Sequence, residues 1–243
     1  MDARSRLSHT TLSEQLTQKL LSKIASGEWS PGMQVPPEAE LCQEFGLSGG
    51  TVRRALEFLE NNKFILRQQG RGTFVMDPAG REMMRRFERF RSEDGATLRQ
   101  TLQILTYEEG EPSELEVTNL QLQWGEKVRR LTRLRSFRDK PFMYEEIALP
   151  ADLFPASKDQ GNPELWISTT ARNCGVLLGD AEEKISLSPC PERASSLLGV
   201  AAGDTVMRIR GVMLTLDGKP ARWRDAYCIT DEIHYSVPLT RNF

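Results

Sequence analysis

GLSGGTVRRALEFLENNKFILRQQGRGTFV, residues 46–75, decides the reading of the amino-terminal third. Gly46 breaks the chain, Ser48 is placed to cap a helix, and Val52, Ala55, Leu56 and Leu59 recur at the spacing that gathers apolar side chains on one helical face. Two short β-prone runs follow, Phe64 to Arg67 and Thr73 to Met76, around a turn bearing Gly70 and Gly72. Upstream, TLSEQLTQKLLSKIASGEW sets Leu12, Leu16, Leu20 and Ile24 four apart, with Leu21 widening the stripe; Gly27 and a turn at Ser30 to Gly32 stop this amphipathic helix. A second helix is expected from about Glu38 to Phe45, entered through Pro36-Pro37, because first-turn amides have no helical partner and so tolerate proline.

Helix, helix, tight turn, helix, hairpin is the order of a winged helix-turn-helix. A helix entering the major groove needs side chains near its first turn that reach base edges, and neighbouring donors that hold phosphates. Ser48, Thr51, Arg53 and Arg54 are the candidates on the third helix. The wing offers Arg67, Gln68, Gln69 and Arg71, and Gly70 and Gly72 let the backbone come close to a groove. For the basic residues a solvated helix face or hairpin is the ordinary alternative.

The 243 residues favour two domains of unequal size, and 39% hydrophobic with 27% charged residues is the composition of a folded globular protein. A formal net charge of -2 excludes a chain coated in basic charge but allows a local basic patch. Cys42, Cys174, Cys190 and Cys228 lie far apart with no CxxC pair, so reduced thiols are expected and a zinc cluster or disulfide framework is not. No apolar stretch has signal-peptide or membrane-spanning length, which places the protein in the cytoplasm.

Residues 77–95 are charge-dense and weakly periodic, and read as a linker between domains at 1–76 and 96–243. Beyond them, strand-like runs recur at Leu98 to Tyr107, Val128 to Phe137, Phe142 to Leu149, Lys184 to Leu187, Val206 to Leu216 and Ala221 to Ile229. Asp217-Gly218 signals one hairpin and Arg138-Asp139-Lys140 another. Ser113 with Glu116 forms a capping box for a helix over 114–123, and Pro191 to Gly199 reads as a further short helix.

The larger part has no GxSxG, HExxH, GxxxxGK[ST] or GxGxxG motif, and the chain has only two histidines, so no catalytic residue, metal site or cofactor is assigned. What stands out is arginine on strands. Arg133 and Arg135 are two apart and share a face with Leu131 and Phe137; Arg222 and Arg224 repeat the arrangement while Trp223, Asp225 and Tyr227 face the other way. Such charge needs a partner. The ordinary alternative is a partly exposed sheet with snorkelling arginines and Glu145 or Glu146 as ion-pair mates.

Residues 12–75 resemble the GntR-type winged-helix DNA-binding domain. The resemblance rests on Ile24-x-x-Gly27 before Pro31-Gly32, on Glu38 and Leu41, on Ser48 with Thr51-Val52-Arg53, and on Gly70-Arg71-Gly72-Thr73-Phe74-Val75. Residues 96–238 resemble, more loosely, the UTRA effector domain of the HutC-type branch, through Arg133-Leu134-Arg135, Glu145 to Pro150, Leu198-Gly199-Val200 and Gly218-Lys219-Pro220 among others. The resemblance implies an α+β chain: a winged helix-turn-helix followed by a chorismate-lyase-like antiparallel sheet with flanking helices. It nominates Arg133, Arg135, Glu145 and Tyr227 for a small-molecule pocket.

Four positions depart from that pattern. Gly49 replaces an arginine usual after the capping serine, Pro37 removes a hydroxyl cap from the second helix, and Arg222 stands where an acid is common; a fourth departure is Ile229, in place of an arginine frequent after the final tyrosine. A lost bidentate base contact is worth about 1–3 kcal/mol of discrimination, so readout is expected to shift onto Ser48, Thr51, Arg53 and the wing. Convergence of Arg133, Arg135 and Arg222 would select a carboxylate or phosphate. The expected protein is a ligand-responsive regulator, a repressor, binding double-stranded DNA at a palindromic operator as a homodimer. The alternatives are a DNA-binding protein with weakened readout and no effector, and an enzyme on a chorismate-lyase-like fold.

Overall fold

The computed structural model describes residues 11–77, 89–155 and 167–237. The chain divides into two compact units, Met1–Met83 and Met84–Phe243.

In the first unit α1 (Leu12–Ala25) opens on a capping box, in which Thr11 Oγ1 accepts from the Glu14 amide at 3.2 Å and Glu14 accepts from the Thr11 amide at 2.6 Å. Leu16, Leu20, Leu21 and Ile24 are buried as their spacing predicts, but Leu12, in the first turn, is exposed. Helix α2 (Glu38–Phe45) has no side-chain cap at Pro37 and ends on Gly46, whose φ of 65° closes the turn. In α3 (Gly49–Asn61) Val52, Ala55, Leu56 and Leu59 are all buried, and α1 packs against α3.

Strands β1 (Ile65–Gln68) and β2 (Gly72–Val75) form the hairpin, each shifted by about one residue from the sequence expectation. The preceding turn joins it: Val75 O accepts from Gly32 N at 2.8 Å, and Thr73 O from Val35 N at 2.8 Å. These bonds fix the wing to the helices.

The second unit is built on a six-stranded antiparallel sheet in the order β4-β5-β6-β9-β8-β7. Its strands are β4 (Gln100–Gly110), β5 (Val128–Phe137), β6 (Lys140–Pro150), β7 (Leu178–Pro189), β8 (Thr205–Thr215) and β9 (Pro220–Cys228). Both hairpins fall where the turn residues lie. Phe137 pairs with Lys140, leaving Arg138 and Asp139 at φ 51° and 62°, the left-handed pair that suits the twist of a two-residue turn. At Asp217-Gly218 the turn is longer and Thr215 N donates to Lys219 O at 2.7 Å.

Strand β7 extends well beyond the expected Lys184 to Leu187. It is an edge strand with mostly exposed positions, so it lacks the apolar alternation that makes a strand legible.

Residues paired across neighbouring strands share a face. One face carries Leu131, Ile147 and Met213 beneath Ala171 of the helix Ile167–Asn173; farther along, it carries Met143, Ile209 and Cys228 beneath Phe90, Leu98 and Ile233. The other face packs Val128 and Ala148 against Leu120 of the helix Glu114–Leu120, and Leu134, Tyr144 and Tyr227 against Ala194 and Leu198 of the helix Glu192–Leu198.

The expected linker to Gly95 needs correction. Phe90–Ser92 forms strand β3, paired antiparallel with β10 (Ile233–Tyr235) in a small second sheet, and neither strand was legible. Phe90 is 7% exposed, with its ring 5.4 Å from both Phe142 and Tyr235 in edge contacts. Isolated aromatics amid charges give no periodicity, which is why the segment read as linker. Residues 78–88 of that linker lie outside the described residues.

If Phe90 pins β3 in this way, Phe90→Ala should cost about 3–5 kcal/mol in urea unfolding of the second unit. An unchanged midpoint would show that β3 contributes nothing to the core.

Candidate functional site

The expected DNA-reading residues of α3 and the wing are present on the first unit, some of them tied to neighbouring side chains. Ser48 Oγ accepts from the Thr51 amide at 3.4 Å and lies 3.0 Å from Thr51 Oγ1, so both hydroxyls are engaged at the helix start. Arg53 donates Nε and Nη2 to one carboxylate oxygen of Glu38 at 3.4 and 3.3 Å. Arg67 approaches the other oxygen at 3.7 Å and pairs with Glu60 at 3.2 Å. Glu38 of α2 thus ties the recognition helix to the wing. No sequence spacing signals that link, because its partners lie on different elements.

Arg54, Gln69 and Arg71 are exposed, and among the described residues neither Arg54 nor Arg71 has an ion pair. At the wing tip Gly70 and Gly72 have φ of 72° and 114°, backbone that other residues adopt only under strain. Gln34 Nε2 steadies the tip by donating to Arg71 O at 3.4 Å. A Cβ on Gly49 or Gly50 would meet nothing within 4 Å, so the first turn of α3 presents bare backbone in open space.

The second unit holds a cluster of buried charge. Glu145 is 0% exposed, and its Oε1 accepts from Arg133 Nε and Arg135 Nε at 2.5 Å each. Arg224 Nη1 lies 3.7 Å from its other oxygen and Arg224 Nη2 pairs with Glu183, which also accepts from the Tyr235 hydroxyl. The arginines do not snorkel to solvent: Arg133, Arg135, Arg222 and Arg224 are all buried. Glu146 faces the other way, where it accepts from Arg193 at 2.6 and 3.0 Å.

Burial pushes Glu145 up, but Arg133, Arg135 and Arg224 together outweigh it and hold the carboxyl well below the usual range. Burial brings Arg133 down to about 10. Burial, and then repulsion from Arg224, brings Arg222 down to about 9, so both stay charged at neutral pH. The Nε atoms of Arg222 and Arg224 are buried without a hydrogen-bond partner among the described residues. Desolvated guanidinium donors of this kind favour an oxyanion.

Beside the cluster, Arg135, Arg224 and Tyr235, with Arg89, Thr97 and Gln100, line a narrow cleft walled by Phe90. Strand pairing and alternation put Arg133, Arg135, Glu145 and Arg222 on the cleft side of the sheet. Tyr227 is not brought to them. It pairs with Tyr144 and Arg208 on the opposite face, with the Arg208 and Arg193 guanidiniums 5.2 and 5.7 Å from its ring centre. Arg224 was visible in the alternation with Arg222, whereas Tyr235 lies in the small sheet and Arg89 just before it, and both escaped notice. Among the described residues no group of histidine, cysteine and acidic side chains is arranged to hold a metal, and no helix is long and apolar enough to cross a membrane.

Residues 12–75 match the family described as bacterial regulatory proteins, gntR family, and residues 96–234 match the UTRA domain. The chain is 26% identical to the HTH-type transcriptional repressor NagR of Bacillus subtilis, over 81% of each protein. It is 27% identical to the histidine utilization repressor of Klebsiella aerogenes, over 81% of this chain and 82% of that protein. Among solved structures, the possible transcriptional regulator YydK from Bacillus subtilis superposes with a TM-score of 0.57 at 17% identity, over 93% of this chain and all of that one, a likeness of fold.

Glu38→Gln should release Arg53 and Arg67 and raise affinity for DNA by about two- to fivefold, in line with an exposed ion pair worth up to about 1 kcal/mol; weaker binding in an electrophoretic shift series would show instead that Glu38 positions the two cations. Glu145→Gln should cost about 3–5 kcal/mol at pH 7, because it leaves buried cations without their anion. Since the folded carboxyl is held below its ordinary value of about 4.3, its stabilisation is complete above that pH and fades as pH falls further. The variant should therefore show a flatter acid limb in thermal unfolding between about pH 5 and 2; an acid limb as steep as the wild type would assign the dependence to other groups.

Proposed function

The chain belongs to the gntR family of bacterial regulatory proteins and carries a UTRA domain, and from that premise we propose that it represses a palindromic operator as a homodimer until an anionic metabolite enters the arginine face. It is a ligand-responsive, DNA-binding transcriptional regulator and not an enzyme. Its first unit binds DNA and its second binds a small effector.

The readout proposed here bypasses position 49. Ser48, Thr51, Arg53, Arg54 and the wing residues Arg67, Gln69 and Arg71 take over, with Gly70 and Gly72 allowing close backbone approach. The open space around Gly49 and Gly50 supports this, since a bare first turn can approach phosphates but cannot read bases.

The observation that carries the effector reading is the set of desolvated guanidiniums with unpaired Nε donors beside a cleft. A carboxylate or phosphate is the matching ligand class. Phe90, which walls the cleft, directly follows the linker in sequence, so a ligand that shifts β3 pulls on the segment leading to the winged unit. Dimerisation would let that pull change the spacing of two winged units, and regulation of DNA places the protein in the cytoplasm.

Footprinting upstream of its own and adjoining genes should reveal a symmetric protected site. A saturating effector should weaken binding there by about 5- to 150-fold, the usual range of allosteric coupling. Operator affinity that stays constant while a proven ligand saturates the protein would refute the coupling. In salt titrations Arg53→Ala and Arg71→Ala should each lower the slope by about 1; unchanged slopes and affinity in both would remove these residues from the interface.

A further inference from the structure

We propose, building on the anionic-effector reading, that Arg222 is a cation with no ion pair of its own among the described residues, and that an oxyanion group of the effector, held between Arg222 and Arg224, supplies one. Arg222 is 5% exposed and has no ion pair within 4.0 Å among the described residues, and its Nε has no acceptor. The nearby carboxylates are committed elsewhere. Glu145 is engaged by Arg133 and Arg135, and Glu183 by Arg224 and Tyr235. Directly across on β8 stands Met213, which offers no oxygen.

A buried, unpaired guanidinium is strongly unfavourable, and proteins tolerate such groups where a ligand completes them. Arg224, two residues along the same strand and on the same face, also has an unpaired Nε and lines the cleft. Alternate residues on a strand stand about 6.5–7 Å apart. Two guanidiniums at that spacing can each donate to one carboxylate or phosphate group between them, in the charge-assisted geometry arginine favours. A neutral polyol could accept these hydrogen bonds but would leave the charge uncompensated. The site therefore selects for charge before shape, and the unliganded protein is less stable than its packing would allow.

Thermal unfolding of the full chain tests this, with inorganic phosphate and malonate each compared with chloride at matched ionic strength. The expected result is that at least one oxyanion raises the wild-type midpoint by several degrees, with the larger shift identifying the preferred head group. Arg222→Met should unfold at a higher temperature than wild type in chloride and should lose the oxyanion shift; Arg222→Gln should lose the shift even if its packing is poorer. Arg71→Ala, which alters the DNA-facing wing, should keep it. A wild-type midpoint indifferent to both oxyanions would overturn the proposal, as would an Arg222→Met protein less stable in chloride or one that keeps the full shift. A neutral compound that releases the operator equally from wild type and Arg222→Met would also overturn it while leaving ligand-responsive repression intact. If no metabolite releases the operator, the regulatory reading fails, and the oxyanion shift still reports on Arg222 alone.

Discussion

A carboxylate with no contact with water governs the larger unit. Glu145 sits mid-strand in a six-stranded sheet, where an isolated anion would not survive unprotonated, and three guanidiniums from β5 and β9 surround it. The pairing has a geometric prerequisite. β5, β6 and β9 must be adjacent and in the register that sets Arg133 beside Glu145 and Glu145 beside Ala226. A slip by one residue would turn every one of these charges toward the opposite, apolar packing layer. The same electrostatics that make this face costly to bury thus make its register hard to mistake, and they leave donors facing the cleft.

The smaller unit solves an opposite problem. Its cations are exposed and must remain available to a polyanion, yet three of the elements that carry or flank them, α2, β1 and β2, are short. Glu38 and Glu60 hold Arg53 and Arg67 in place at modest energetic cost, since ion pairs in water are weak and easily exchanged for phosphate contacts. Arg54 and Arg71 need no such exchange. The surface is preorganised in part and free in part.

Much of this was legible in the residues. The stripe Val52, Ala55, Leu56 and Leu59, the Ser113 capping box and the two hairpin turns are local signals, and local signals survive in a single sequence. The arginine pairs announced buried charge through simple alternation. What could not be read depended on distant partners. β3 and β10 are three residues each and stabilise one another, so neither has a pattern of its own, and with them went Arg89 and Tyr235. Tyr227 was assigned to the pocket by family resemblance although its own strand alternation pointed away, and the alternation was the better guide.

The opposition of odd and even positions along β9 has a consequence for how this chain can change over evolutionary time. Even-numbered residues from 222 onward furnish the arginine side, while Trp223, Asp225 and Tyr227 furnish the side packed on the helices Glu114–Leu120 and Glu192–Leu198. A single codon gained or lost inside the strand would exchange the two sets downstream of it, whereas a change of two codons would preserve the sidedness. Length variation tolerated by descendants of this gene should therefore collect in the turn at Asp217-Gly218 or occur within the strand only in pairs.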